Sequence, residues 1–307
     1  MTEARRAVVT GATGFVGSRL CRALVAAGWE VHLVARPGSS LDALGDTARA
    51  VASIHRHDGT TPSLVSWFEE VRPDVTFHLA SLFVAEHTVD QVAPLVEGNV
   101  LFGAQVAEAM SRSGLDRLVN AGTSWQHFGD SDYDPVCLYA ATKQAFEDLL
   151  EYYVRARALR VVTLKLFDTY GPGDPRPKLF RLLREAAASR APLLMSGGEQ
   201  RIDLVHVDDA VAAFRLAAAR LLHGDAKGHE RYAVSSGNPI RLRDLVELYA
   251  RVAGTPLAID WGKRPYRARE VMTPWTRGVP LPGWAPEIAL EDGLRLLTGA
   301  GGASEPR

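Results

Sequence analysis

Tyr139 and Lys143 are the residues with which this sequence could do chemistry, and they stand four apart in a stretch of helical pattern, Leu138 to Leu150. Residues at that spacing project from one helix face, one turn apart. A phenol with the ordinary pKa of about 10 is a poor acid–base group at neutral pH. An ammonium one turn away favours the phenolate and is expected to pull that pKa down. Upstream, Leu115 to Ala121 reads as a buried strand, and Thr123 and Ser124 stand where it ends. A hydroxyl there would hold a carbonyl oxygen against the phenol. Together these groups suit proton transfer to a ketone oxygen while a hydride arrives at its carbon. A Tyr-x-x-x-Lys pair alone is far more often a helix-surface feature. What changes the odds is a glycine loop near the other end of the chain.

Val8-Val9-Thr10 runs into Gly11-Ala-Thr13-Gly14-Phe15-Val16-Gly17, and Ser18 onward continues as an amphipathic helix that ends at Gly28. Strand, glycine turn and helix are the setting a dinucleotide-binding loop requires. The glycines let backbone approach a pyrophosphate, and the helix N-terminus offers N–H groups and the positive end of its dipole. The next strand, Glu30 to Ala35, bears on which dinucleotide is bound. An NAD-selective site puts a carboxylate at this strand's end to accept the ribose 2′-hydroxyl. Here Ala35 is followed by Arg36, Ser39 and Ser40. Arginine and serines suit a 2′-phosphate and predict NADP(H).

The elements between these motifs alternate. Val51 to His57 reads as a third strand, with Asp58-Gly59 at its end as an adenine contact. Asp74 to Ala80 reads as a fourth, its end at Ala80-Ser81 passing near the cofactor ribose and nicotinamide; His78 reads as a packed strand residue. A long helix containing Asn99 is expected over 89–112, a further helix over 135–157 and a strand over 159–167. Strands alternating with helices of this length argue for an α/β fold, a doubly wound parallel sheet of the Rossmann type. The Pro/Gly-rich segment from Asp168 to Lys178 breaks the pattern. It divides the chain into a dinucleotide-binding domain over 1–170 and a smaller α/β C-terminal lobe over 171–298, mainly for substrate. Residues 299–307 are expected to be a disordered tail.

Composition excludes several classes. The 307 residues carry 35 basic and 36 acidic side chains, a net charge of −1, scattered along the chain. Nothing suggests a nucleic-acid or membrane surface. Cys21 and Cys137 form neither a metal-ligand spacing nor a disulfide framework, and no metal site is expected. Cys137 has no histidine motif-spaced to it and reads as a packed residue. The N-terminus leads straight into a strand, and no apolar run approaches membrane-spanning length, so a cytoplasmic location is expected.

With these motifs in order, the chain resembles the extended branch of the short-chain dehydrogenase/reductase superfamily, and within it the enzymes that act on nucleotide-diphosphate sugars. The likeness runs over roughly residues 5 to 298. In that family the triad hydroxyl lies five residues before the glycine of a Tyr-Gly or Phe-Gly pair. Counting back from Gly129 gives Ser124, with Thr123 able to assist. The resemblance implies Ser124, Tyr139 and Lys143 as the catalytic set, Lys143 also reaching the nicotinamide ribose. It implies a cofactor site made by Gly11, Thr13, Gly14, Phe15, Val16, Arg36, Ser39, Asp58, Gly59, Leu79, Ala80, Ser81 and Phe167, with Asn99, a structural helix asparagine, among them.

Departures from the family pattern narrow the reading. Its 4,6-dehydratases carry Asp-Glu directly after the triad hydroxyl; Trp125-Gln126 stands there instead, so water elimination lacks its acid and base. Epimerases and dehydratases recycle a bound NAD and usually hold an acid at position 35, whereas Ala35-Arg36 implies NADPH consumed once per turnover. Leu138-Tyr-Ala-Ala-Thr-Lys-Gln144, Lys165-Leu-Phe-Asp-Thr-Tyr-Gly-Pro172 and Gly262-Lys-Arg-Pro-Tyr-Arg267 are similar to the CDP-abequose synthase type of 4-ketoreductase. The resemblance thus implies NADPH-dependent reduction of the C4 ketone of an NDP-4-keto-6-deoxyhexose in deoxysugar biosynthesis. The alternatives are an NAD-dependent NDP-sugar 4-epimerase and a non-catalytic cofactor-sensing protein of the same fold. Substrate contacts are expected from Thr123, Ser124, Trp125 and Asp168. Arg176, Lys178, Arg201, Arg264 and Arg267 are the candidates for the diphosphate. Relatives place that arginine immediately before the aspartate of an Arg-Asp-x-x-x-Val strand. Here Ile202 fills the slot, and alternation along the strand aims Arg201 at the opposite face unless a bulge intervenes. Extended-branch enzymes often dimerise through the helices at about 90–112 and 135–157, and a homodimer is expected on the same ground.

Overall fold

The computed structural model describes residues 4–189 and 191–299. The chain opens with β1 (Arg6–Thr10), α1 (Phe15–Ala26), β2 (Glu30–Ala35), β3 (Ser53–Arg56), α2 (Thr61–Val71) and β4 (Val75–His78). Then come α3 (Val92–Val96) and α4 (Phe102–Arg112), joined by one π turn at Glu97–Leu101, and after them β5 (Arg117–Thr123), α5 (Leu138–Arg157) and β6 (Arg160–Leu166). The remainder supplies β7 (Asp168–Tyr170), α6 (Leu179–Ser189), β8 (Leu193–Leu194), β9 (Arg201–Ile202), β10 (Leu204–His206), α7 (Val207–His223), β11 (His229–Val234), β12 (Ile240–Arg241), α8 (Leu242–Ala253), β13 (Ile259–Asp260) and α9 (Leu290–Thr298).

Seven strands pair in parallel in the order β11-β6-β5-β4-β1-β2-β3, the doubly wound sheet that the alternation predicts. Both faces are covered, which is why the strands read as continuous apolar runs. Side chains alternate between two cores. Ala7 and Val9 pack with Leu20 and Leu24 of α1 and Phe214 of α7. Val8 and Leu118 pack with Leu64 and Phe68 of α2 and Phe146 of α5. Gly103 lets α4 lie close on α5, since a Cβ there would sit 2.7 Å from the Phe146 ring. Strand order reverses between β1 and β4, and open α/β sheets bind ligands at such a switch point, outside the carboxyl ends of the strands.

After residue 170 the chain returns to this sheet, with α7 covering one face and β11 extending the edge beside β6. A third core gathers Tyr170, Leu183, Leu245, Tyr249 and Leu294 under three two-stranded pairs, β10-β7, β12-β9 and β13-β8. Two expectations change in detail. The helix over 89–112 is interrupted by the π turn, and α2, which the strand-by-strand reading passed over, is present with Leu64, Phe68 and Val71 buried at helical spacing. The tail expected over 299–307 lies, from residue 300 on, outside the described residues.

Candidate active site

The glycine loop is fastened to the end of β4. Thr10 Oγ1 accepts a hydrogen bond from the Ala80 N–H at 3.1 Å and meets His78 Nδ1 at 3.0 Å. Gly11, with φ +72°, lies so close that a Cβ would be 2.5 Å from Ala80 N, and a Cβ on Gly17 would be 2.1 Å from Gly11 O. Only glycine fits at either position. Gly14 is the N-cap of α1 and brings no side-chain cap, and the first turn carries no acid. The helix therefore presents uncapped N–H groups to the crevice, a cradle that fits a dinucleotide pyrophosphate.

The crevice, about 240 Å3, runs from Gly11, Gly14, Phe15 and Val16 past Leu79 and Ser81 to Thr123, Ser124, Tyr139, Lys143 and Phe167. Tyr139 is 9% exposed, and Ser81 and Thr123 stand near its hydroxyl. Thr123, expected to assist, and Ser124 both line the crevice beside Tyr139. The pKa expected of Tyr139 is overturned. Burial pushes the phenol up to about 12, with Cys137 adding to the rise and Ser81, Thr123 and Arg176 only partly offsetting it. Lys143 is itself pulled down to about 8 by burial. The phenol is therefore held neutral, a proton donor rather than a base. Cys137 is pushed up by burial as well, in keeping with a packed residue.

Asn99 sits on the π turn with its amide fully engaged: it accepts from the Leu82 N–H at 2.7 Å and donates to Leu82 O and Thr142 Oγ1. It buttresses the 80–82 loop from behind rather than facing the crevice. Asn99 is thus the structural helix asparagine of the expectation, placed behind the cofactor crevice and not among its lining residues.

At the far end, Ala35 lies level with Arg56 of β3. Arg56 Nη1 donates to Arg36 O at 3.1 Å and Ser39 O at 2.8 Å, closing the turn that carries Arg36, Ser39 and Ser40. Sequence reading missed Arg56, and strand pairing is what places it. The Asp58 carboxylate accepts from the Thr60 N–H and hydroxyl, which hold it below the usual carboxylate range. Gln105, also missed, donates to Gly59 O and meets His57, fixing the 57–59 turn.

The crevice opens into a cleft of about 960 Å3 over the C-terminal lobe, and Phe83, Trp125, Asp168, Thr169, Arg176 and Lys178 line both. Phe83 meets the Tyr139 ring edge-on at 5.0 Å and Trp125 at 5.5 Å. Arg176 spans the junction, stacked over Phe15 at 4.7 Å and held by Asp174 and Thr169 O. Lys178 pairs with Asp168 at 3.2 Å, and Arg267 with Glu270 at 2.9 Å. Arg264 lines the cleft, exposed. Arg201 donates its guanidinium to Pro239 O and lines a smaller adjoining pocket with Ser124, Trp125, Asp168 and Arg267, while Ile202 lines both that pocket and the cleft. Among the described residues no group of His, Cys, Asp and Glu could hold a metal ion, and no helix is long and apolar enough to cross a membrane.

This geometry can be set beside known proteins. The profile of the NAD dependent epimerase/dehydratase family matches residues 7–233. UDP-glucose 4-epimerase of Mycolicibacterium smegmatis is 28% identical, over 94% of this chain and 96% of its own. CDP-abequose synthase of Yersinia pseudotuberculosis is 25% identical, over 88% and 91% respectively. Among solved structures, MoeE5 in complex with UDP-glucose and NAD is similar with a TM-score of 0.80 at 27% identity, covering 96% of this chain and 97% of that one.

Proposed function

We propose a reaction for this chain, which belongs to the NAD dependent epimerase/dehydratase family: NADPH-dependent reduction of the C4 ketone of a nucleotide-diphosphate 4-keto-6-deoxyhexose. The observation that carries it is the buried Tyr139 phenol, beside Ser81 and Thr123, at the point where the glycine-loop crevice meets a cleft rimmed by Arg176, Lys178 and Arg267. The nicotinamide, when bound, supplies hydride to the carbonyl carbon. Tyr139 gives its proton to the carbonyl oxygen, and Thr123 and Ser124 steady that oxygen as charge builds on it. Lys143 stabilises the phenolate that Tyr139 becomes. Phe83 and Trp125 keep water from the reacting oxygen. The cations of the rim take the diphosphate.

The second reading is an NAD-dependent 4-epimerase, supported by the name of the Mycolicibacterium smegmatis relative. It would hold NAD through purification and consume no cofactor. What favours the reductase is the end of β2, where Ala35 takes the place of a carboxylate and Arg56 fastens the turn that carries Arg36 and Ser39, residue types that suit a 2′-phosphate. A cofactor-sensing protein would bind NADPH and turn over nothing. The test is oxidation of NADPH and NADH in parallel against CDP-, dTDP-, UDP- and GDP-4-keto-6-deoxyhexoses. Net NADPH oxidation with one of them supports the proposal. Tightly held NAD with no net oxidation sinks it.

A homodimer belongs to the same proposal. Val92, Val96, Leu101, Leu149 and Tyr152 of α3, the π turn and α5 are each 39–53% exposed. A second copy of those helices would cover them.

A further inference from the structure

Behind Tyr139 lies a set of buried charges to which the proposed reaction gives no direct part. Lys165 of β6 and Glu147 of α5 pair at 2.9 Å with side chains 3% and 0% exposed. The other Glu147 oxygen takes Arg231 Nε at 3.2 Å. Gln126 donates to Glu147 Oε1 at 2.9 Å and accepts the Thr123 N–H at 3.1 Å. Glu147 stands one helical turn beyond Lys143, on the same face as Lys143 and Tyr139. The packing is tight: a Cβ on Gly122 would lie 3.0 Å from Lys165 Cδ and 3.2 Å from Glu147 Oε1.

Stability alone is a poor reason for such a cluster, because a buried ion pair can often be replaced by apolar side chains without loss. The choice of cation is also informative. Only five of the 35 basic residues are lysines, and two of those five, Lys143 and Lys165, are buried around this one carboxylate. Arginine keeps its proton under all ordinary conditions, whereas a buried lysine titrates readily.

We propose that Glu147 is a positioning residue: with Lys165 it sets the charge balance behind Lys143, and through Gln126 it ties the Lys143 turn of α5 to the Thr123 end of β5. The charged and titratable groups that act on Lys143 or feel it are Glu147 on α5, Lys165 on β6 and His78 on β4. Burial lowers Lys143, Lys165 lowers it further, and Glu147 works against both. His78 is held neutral, pulled down to about 3 by burial and by Lys143. Glu147 stays ionised because Lys165 and Gln126 outweigh its own burial.

The inference rests on the reading of Tyr139 and Lys143 as the reacting pair, but its test does not need turnover. In protein labelled with 13C-lysine, Lys143 is one of five Cε signals, assigned by its loss in Lys143→Met. Its titration midpoint is expected near 8 in the wild type. Glu147→Gln lowers that midpoint by about one pH unit or more, and Lys165→Met raises it by a similar amount. Opposite movements are something a merely structural role does not produce. If Glu147→Gln does not fold, the direction in Lys165→Met decides. A midpoint unchanged within about 0.3 unit in the variants that fold overturns the inference. In active protein the alkaline limb of kcat/KM moves the same way in each variant. Absence of turnover in the wild type would remove the reductase reading while leaving the titration readable.

Discussion

On the wall behind Tyr139, Lys143, Lys165 and Glu147 are at most 3% exposed, and both oxygens of Glu147 are engaged. On the rim ahead of it, Arg176, Lys178 and Arg267 keep about a third of their side chains in solvent, each on a carboxylate of its own: Asp174, Asp168 and Glu270. The wall's partners are fixed by burial, because a charge left alone there has no water to turn to. The rim's partners are exchangeable, because solvent screens every pair and an arriving diphosphate competes for the same guanidinium groups. Substitutions at the wall and its glycine loop should therefore damage fold and chemistry together. Substitutions at the rim should damage binding alone.

The largest break in that contrast is expected at Gly11. Gly11→Ala brings a Cβ to 2.5 Å from Ala80 N at a positive φ. It should cost on the order of 3 kcal/mol in urea unfolding and abolish cofactor binding. A buried neutral histidine should matter next. His78 titrates at about 3 in the folded chain against 6.5 when unfolded. The unfolded chain thus binds the extra proton between those values, so stability is full above pH 6.5 and falls as pH drops toward 3. Urea midpoints should show a loss on the order of 3 kcal/mol by pH 4, with a shallower slope in His78→Gln. At the rim, Arg176→Ala should raise KM for the nucleotide sugar by about tenfold to a hundredfold, with melting temperature nearly unchanged. Smallest of all, Arg201→Ala should leave KM within about twofold, since its guanidinium is spent on Pro239 O. A large KM effect there would erase the distinction between cleft and surface arginines.

How much of this the sequence discloses follows the same line. Local spacing and alternation disclose the parallel sheet, the glycine loop and the Tyr139–Lys143 face, because each depends on residues close together in the chain. Helix α2 was equally legible from Leu64, Phe68 and Val71 and went unread. Pairing between distant strands was not legible: Arg56 reaches the Arg36 turn only because β3 lies beside β2. Nor was the pKa of Tyr139, where burial, a property of the whole fold, outweighs Ser81, Thr123 and Arg176. Arg201 shows the reverse. A one-residue offset on its strand keeps it out of the larger cleft, yet it still lines the small pocket beside Ser124 and Trp125.

The contrast rests on the phenol being the group that gives up the proton. Tyr139→Phe keeps the ring against Phe83 and removes only the hydroxyl that stands near Thr123 and Ser81. In a single-turnover experiment with bound NADPH and the keto sugar that wild type accepts, its rate should fall about a hundredfold or more, with NADPH affinity unchanged. A rate within a few fold of wild type would contradict the account.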